Sequence, residues 1–382
     1  MNKSETSGSL LDRLVVIGSL SRALRLPLVW WGVIIFSGYY MVPFALCAVE
    51  GVLITAPKDV SHMNLHFDAF VDTVGRRAVS LPYLKDLTHI LMAIVVSVGG
   101  TLCLIALSQF ARVYDAVADP EILKASAATI SSDRARMEKL VGSRWVLLPV
   151  ALVAGSCGLA LYFNGRSVAG WWGNPQYGVA GLVLACGVSL VIFYGMHALY
   201  MLAVAQYSVG RLVSHGVHLR PFHPDGCNGF SKLGNLLLLL LLLCGCCVTA
   251  AWITIRHGYL RIEEFPGVWL AALGIVVFVP VIVIHPLIHV STQIRRAQLL
   301  RLSPIEGMLN TMLKRAEDQL SEPAACRAKL EEIQGMRDLH VTAKEVYETN
   351  VFPFNRKVAS ALSVGYIVQA AALASEIAGK FK

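Results

Sequence analysis

Charged side chains are scarce in this chain of 382 residues. They make up 15% of the sequence, against about a quarter in an ordinary soluble domain, while hydrophobic residues make up 55%. The few charges are also clustered, with long uncharged stretches between them. This distribution excludes a water-soluble enzyme and predicts an all-α fold, that of a polytopic helical membrane protein.

Six stretches lack Asp, Glu, Lys and Arg altogether. Each can supply the roughly 20 apolar residues with which an α-helix crosses a bilayer. Because unpaired backbone groups are not tolerated in the hydrocarbon core, a run such as Leu236 to Leu243 favours a helix. We therefore predict six transmembrane helices, within residues 26–49, 87–111, 145–165, 167–210, 233–255 and 265–294.

The absence of acidic and basic side chains inside these stretches also bears on function. Proton-coupled carriers, pumps and voltage sensors depend on such residues at membrane depth, so that class is disfavoured. The ionisable side chains that we single out within the spans are His197, His285 and His289. The sequence also lacks a Walker loop, a Rossmann glycine fingerprint, Gly-x-Ser-x-Gly and His-Glu-x-x-His.

Cysteine is absent from the connections that we predict to lie outside. Most of the nine cysteines fall within the spans, so no disulfide framework is implied. The segment Cys244-Gly245-Cys246-Cys247 has two interpretations, a soft-metal site or small buried apolar residues, and we favour the second.

Lys and Arg are distributed unevenly between the two sides of the predicted bundle. If the N-terminus is cytoplasmic, the inner segments hold 26 of the 33 Lys and Arg residues and the outer loops hold 7. The positive-inside rule therefore predicts a cytoplasmic N-terminus. The net charge of +8 then reflects the inner surface, which favours contact with anionic lipid and does not indicate nucleic acid.

The chain divides into four predicted regions. Residues 1–26 form a cytoplasmic or interfacial N-terminal helix, and residues 27–294 form the six-helix transmembrane domain. Residues 295–357 form a cytoplasmic helical region. Residues 358–382 form a C-terminal apolar helix that lies at the interface, docks on a neighbouring chain or crosses as a seventh span.

Two helices are predicted in the cytoplasmic region. Ser303-Pro304-Ile305-Glu306 has the pattern of a capping box, so we expect a helix to begin there. Ser321-Glu322-Pro323 resets the chain, and a second apolar stripe runs from Leu330 to Val346. We predict a helical hairpin whose stripe is covered either by the hairpin itself or by another subunit, which would make a homo-oligomer.

The loop 112–144 alternates charges of both signs. Such a mixture is typical of a solvated face. Asp119-Pro120 and Ser131-Ser132-Asp133 are interpreted as the starts of short helices.

The connection between the fourth and fifth predicted spans has the richest set of polar side chains. A ligand-binding site for an anionic group or a lipid headgroup is one interpretation, and a structural turn built on Pro224, Gly226 and Gly229 is the other. A metal site is a third, because His285 and His289 lie four residues apart on one helical face and could join His223 and Asp225 around a divalent ion. The candidate ligand-binding residues are His215, His218, Arg220, His223 and Asp225.

Two short motifs carry a resemblance. The His223-Pro224-Asp225 loop with its downstream glycines, together with Val351-Phe352-Pro353-Phe354, resembles a pattern of poorly characterised bacterial multi-span membrane proteins. The resemblance covers roughly the last 170 residues. It implies a location in the bacterial inner membrane and carries no activity or site residue.

These observations favour a non-enzymatic, homo-oligomeric inner-membrane protein. It would be a pore or channel, or a membrane scaffold whose cytoplasmic region senses a ligand or recruits a protein partner. The alternative is a metal-dependent membrane enzyme with a His/Asp site at the cytoplasmic surface. No cofactor is expected in the first case and a divalent metal in the second. Small residues would allow close helix packing: Ala151, Gly155, Gly158, Gly187 and Gly195.

Overall fold

The computed structural model describes residues 27–54, 81–167, 171–174, 178–218, 229–256, 266–319 and 326–348, and the single residues 368, 371 and 375. Within these ranges the chain is helical and contains no named strand. The α-helices are α1 (Leu28–Phe36), α2 (Val42–Val49), α3 (Leu87–Val117), α4 (Ala127–Val141), α5 (Leu147–Ser167), α6 (Val179–Ser214), α7 (Ser231–Arg256), α8 (Pro266–Gln319) and α9 (Cys326–Glu348).

Five helical segments are long and apolar enough to cross a membrane. The prediction of an all-helical membrane protein is therefore confirmed, and the five segments include the first five predicted spans. The sixth predicted span lies within α8, and the total of six stays a prediction. The five segments are Trp30–Val49, Leu87–Val117, Ala127–Phe163, Val179–Ser214 and Ser231–Ile253.

The first span is a continuous helix with a π-helical insertion. Ser37–Met41 forms the π-helical segment, with α1 before it and α2 after it. A π-helix uses i to i+5 hydrogen bonds, so it accommodates one residue more than an α-helix and rotates the faces on its two sides. As a result α1 packs against α3, whereas α2 packs against α6.

Two helix starts in the loop 112–144 were predicted wrongly. Helix α4 begins at Ala127, where the side chain of Ser126 accepts a hydrogen bond from the backbone N–H of Thr129. Ser131-Ser132-Asp133 therefore lies inside the helix. Asp119 does not begin a helix, because its carboxylate accepts from the N–H of Glu121 and closes a turn.

The predicted helix start at Ser303 is also wrong. Helix α8 continues through Ser303 and Pro304, and the predicted domain boundary after residue 294 lies inside it. The reason is tertiary packing. Val290 and Ile294 are fully buried just before this point, and the Gln298 side chain donates to the carbonyl of Val346 in α9.

Helices α8 and α9 run antiparallel along the second half of α8. Gln298 meets Val346, and Met312 meets Gly335, so the contacts progress in opposite directions along the two helices. Whether this helix pair is cytoplasmic stays a prediction. The predicted helix within 1–26 lies outside the described residues, and so does the one within 358–382 apart from three isolated positions.

Helix α6 is the centre of the bundle. It packs against α2, α3, α4, α5 and α8. Gly158 of α5 permits one of these contacts, since a Cβ atom there would lie 2.9 Å from the carbonyl oxygen of Ala185. We name the two ends of the bundle for what they carry: the aromatic end includes residues 81–86 and 171–174, and the His215 end includes residues 118–126 and 215–218.

Candidate functional site

The predicted ligand-binding residues are only partly described. Arg220, His223 and Asp225 lie outside the described residues, so the turn and site interpretations of that loop stay predictions. His215 and His218 follow α6. The backbone N–H of His218 donates to the carbonyl of Ile122 at 2.7 Å, which ties this segment to the connection before α4.

A buried carboxylate holds α4 against the end of α6. Asp133 has only 5% of its side chain exposed and pairs with Arg211 at 3.0 Å and with His215 at 3.2 Å. The loop 112–144 is therefore not a solvated face throughout: Asp133, Met137 and Val141 of α4 are buried. His215 thus has a structural partner at this end.

Removing this carboxylate should weaken the contact between α4 and α6. We expect Asp133→Asn to lower the free energy of unfolding by about 1–2 kcal/mol, because a buried charge pair with two partners loses its charge assistance. The matched control is Asp115→Asn, since Asp115 pairs with Arg134 but is 54% exposed. Its loss should cost at most about 0.5 kcal/mol. Thermal unfolding in detergent measures both, and equal effects would contradict the structural role of Asp133.

His285 and His289 lie together on a different side of α6. Their ring centroids are 4.6 Å apart, and a Cβ atom on Gly210 would lie 3.1 Å from His285. Gly210 and His215 point in directions about 140° apart around α6, because each residue turns the helix by about 100°. Within the described part of the chain, no group of three or more His, Cys, Asp or Glu residues is placed to hold a metal ion.

An apolar cavity of about 420 Å³ lies among α1, α3, α6 and α7. Its size is in the range of small-molecule sites, and its lining residues are all uncharged. The lining includes Gly38 and Tyr39 of the π-helical segment, and Cys103, Cys246 and Cys247. The cysteines of α7 thus help to line a cavity, a role that neither sequence interpretation included.

The cavity opens toward the surface of the bundle. Ile34 of α1 and Leu190 of α6 both line it and are 40% and 56% exposed. Gly187 of α6 also lines it, and no described atom lies within 4 Å of the position that a Cβ atom would occupy there. A chain lying in the bilayer therefore has an apolar route into the space.

The aromatic end closes around a buried histidine. His89 is 2% exposed, and four rings surround it at centroid distances of 5.0–5.7 Å. Its Nε2 atom has no hydrogen-bond partner within the described part of the chain. The surrounding rings are those of Tyr39, Tyr40, Tyr83 and Trp172.

Asp86 connects this cluster to the loop before α6. Its carboxylate is 2% exposed and accepts from the indole N–H groups of Trp172 at 2.9 Å and Trp171 at 3.4 Å. It also caps α3 by accepting from the backbone N–H of His89 at 3.0 Å. Burial, with smaller contributions from neighbouring groups including Asp86, raises the pKa of Tyr83, whose hydroxyl donates to the carbonyl of Tyr40.

Glu50 makes a second connection at the same end. Its carboxylate accepts from the backbone N–H groups of Val179 and Ala180, at the N-terminus of α6. A negative charge is favourable there because the helix dipole is positive. Gly178 makes the approach possible, since a Cβ atom would collide with the Glu50 carboxylate.

The sequence interpretation missed the residues of the aromatic end. Glu50 and Asp86 were used as the boundaries of uncharged stretches, and His89 lies inside one of them but was not singled out. The available signals were an Asp three residues before a His at a helix start and the adjacent pair Trp171-Trp172. His197, which was singled out, is buried in α6 beside Phe193.

Comparisons with known proteins give no assignment. No family model, no curated protein and no solved structure matches this chain. The bacterial inner-membrane location implied by the resemblance therefore stays a prediction. Any function has to be argued from the geometry described above.

Proposed function

We propose that this protein binds the apolar chain of a lipid inside its helical bundle and acts as a membrane scaffold whose state depends on that ligand. The observation that carries the proposal is the uncharged cavity of about 420 Å³ among α1, α3, α6 and α7. An apolar chain is its natural occupant, because an uncharged lining offers no compensation for a desolvated charge. The opening at Ile34 and Leu190 supports entry from the bilayer.

This proposal retains one part of the function predicted from sequence. A membrane scaffold with a ligand-sensing region agrees with a cavity next to the π-helical segment, since such segments occur frequently at functional sites. The apolar lining gives no support to a conducting pore through this space. The cytoplasmic partner and the homo-oligomer stay predictions.

A metal-dependent enzyme is the second candidate. The adjacent imidazoles of His285 and His289 favour it, because two histidines four residues apart can share one metal ion. The remaining ligands would have to come from the loop that contains His223 and Asp225. This candidate places its site away from the cavity, so the two functions can be tested separately.

Photo-crosslinking tests the lipid proposal. The full chain in phosphatidylcholine nanodiscs is incubated with a 16-carbon alcohol that carries a diazirine on its chain, and the crosslinked residues are identified by mass spectrometry. We expect saturable crosslinks to cavity residues such as Gly99, Cys103 and Cys247, and competition by unlabelled hexadecane. Residues on the bundle surface, such as Leu148 and Leu152, should show crosslinks that do not saturate. Crosslinks that are nowhere saturable would overturn the proposal.

A further inference from the structure

We infer that the ligand is a long-chain alcohol whose hydroxyl group donates a hydrogen bond to Nε2 of His89. The inference rests on the proposed lipid-binding function and specifies the chemistry at one end of the same site. Its basis is a buried, unpaired ring nitrogen placed just beyond the aromatic end of the apolar cavity.

His89 lies on the cavity side of α3. The residues of α3 that line the cavity include Val96, Gly100 and Cys103. At about 100° per residue, His89 points within about 20° of Val96, and it lies seven residues, or about 10 Å, nearer the aromatic end. Helix α3 therefore presents one continuous face to a chain in the cavity and to its polar end.

Tyr39 joins the cavity to the histidine. Its ring stacks on His89 with a centroid distance of 5.1 Å, and Tyr39 also lines the cavity. It belongs to the π-helical segment Ser37–Met41, which sets its direction. A chain that follows the cavity toward this end therefore reaches Tyr39 and then the imidazole.

The hydrogen bonds of the ring determine which ligand group fits. The backbone of Tyr39 hydrogen-bonds the imidazole, and since Nε2 has no partner, the atom engaged is Nδ1. A backbone carbonyl only accepts, so Nδ1 carries the proton and Nε2 of the neutral ring presents a lone pair. Nε2 therefore requires a donor, and a hydroxyl group supplies one without bringing a charge into the cluster.

His197 is a weaker candidate for the same role. It is also buried, and its Nδ1 has no partner within the described residues. However, it lies halfway along α6, at the depth of the hydrocarbon core. His89 lies three residues after the start of α3 and among aromatic rings, the environment in which polar lipid groups meet protein.

Competition between chains of equal length tests the inference. The photoreactive alcohol is displaced from the wild-type protein by hexadecane, hexadecan-1-ol, hexadecan-2-one or palmitate. We expect hexadecan-1-ol to compete about threefold to tenfold better than hexadecane, which is the value of one net hydrogen bond. Hexadecan-2-one, which only accepts hydrogen bonds, should compete no better than hexadecane. A ketone or a carboxylate that competes as well as the alcohol would overturn the inference.

Variants at His89 assign the effect to the imidazole. His89→Phe should remove the advantage of the alcohol over the alkane and leave saturable binding of the alkane, because it keeps an aromatic ring of similar size. His89→Gln should keep the advantage, since its amide can accept the hydroxyl hydrogen. The matched control is His340→Phe, at an exposed position of α9, which should bind like the wild-type protein.

The outcomes separate this inference from the proposed function. Saturable binding with no preference for the alcohol would overturn the role of His89 and leave lipid binding intact. A loss of all saturable binding in the wild-type protein would overturn both. If His89→Phe shows a lower melting temperature, the comparison of His89→Gln with the wild-type protein decides, and a loss of preference in a folded Gln variant overturns the inference.

Discussion

Asp86→Ala should destabilise the protein by about 3–5 kcal/mol. The substitution leaves two indole N–H groups and the first turn of α3 without their acceptor, and buried donors that lose an acceptor cost about 1–3 kcal/mol each. Asp86→Asn keeps one acceptor oxygen and should cost less. Thermal unfolding in detergent, followed by tryptophan fluorescence, measures the loss.

Asp119→Ala is the matched control for this prediction. Asp119 also accepts a backbone N–H through its carboxylate, but it is exposed at the other end of the bundle. Its substitution should cost less than about 1 kcal/mol because water can replace the carboxylate. Equal effects at the two positions would contradict the structural role assigned to Asp86.

Gly187→Phe should abolish saturable binding of the photoreactive chain. Gly187 lines the cavity, and its Cβ position is open, so the new ring can enter the space that the ligand would occupy. Glycine in a helix interior is unfavourable by about 1 kcal/mol relative to better helix formers, so the variant should fold at least as well as the parent. Competition by hexadecane, measured on the variant, should find no saturable component.

Gly155→Phe provides the corresponding control. Gly155 lies in α5, also with an open Cβ position among the described atoms, but it does not line the cavity. We expect it to bind the chain as the wild-type protein does. Binding that survives in the Gly187 variant would show that the ligand lies elsewhere, and binding lost in both variants would remove the link to the cavity.

Hydropathy predicted the membrane helices because it acts at short range. An uncharged stretch of twenty apolar residues has few alternatives to a helix in a bilayer, and this holds whatever its neighbours are. The start predicted at Ser303 failed for the opposite reason. A capping pattern is a local preference of a few tenths to two kcal/mol, and the packing of α8 on its neighbours outweighs it.

The candidate site could not be predicted from the sequence because its parts come from separate helices. The cavity depends on Gly38, Gly99 and Gly187, and each of them alone looks like an ordinary glycine in a membrane helix. The π-helical segment Ser37–Met41 has no proline or charge to reveal it. Glu50 and Asp86 were visible, but a count of uncharged stretches assigns charged residues to loops.

The carboxylates at the aromatic end also set a timetable for assembly. Asp86 is bound by indoles 85 and 86 residues further along the chain, and Glu50 by amides 129 and 130 residues further along. At about 5–20 residues per second, a ribosome needs roughly 4 to 26 seconds to supply these partners. Until then both carboxylates have to stay hydrated at the membrane surface, since burial without a partner is costly. The first span and α3 are therefore inserted as an open pair, and the aromatic end closes only after the tryptophans and the start of α6 have been synthesised.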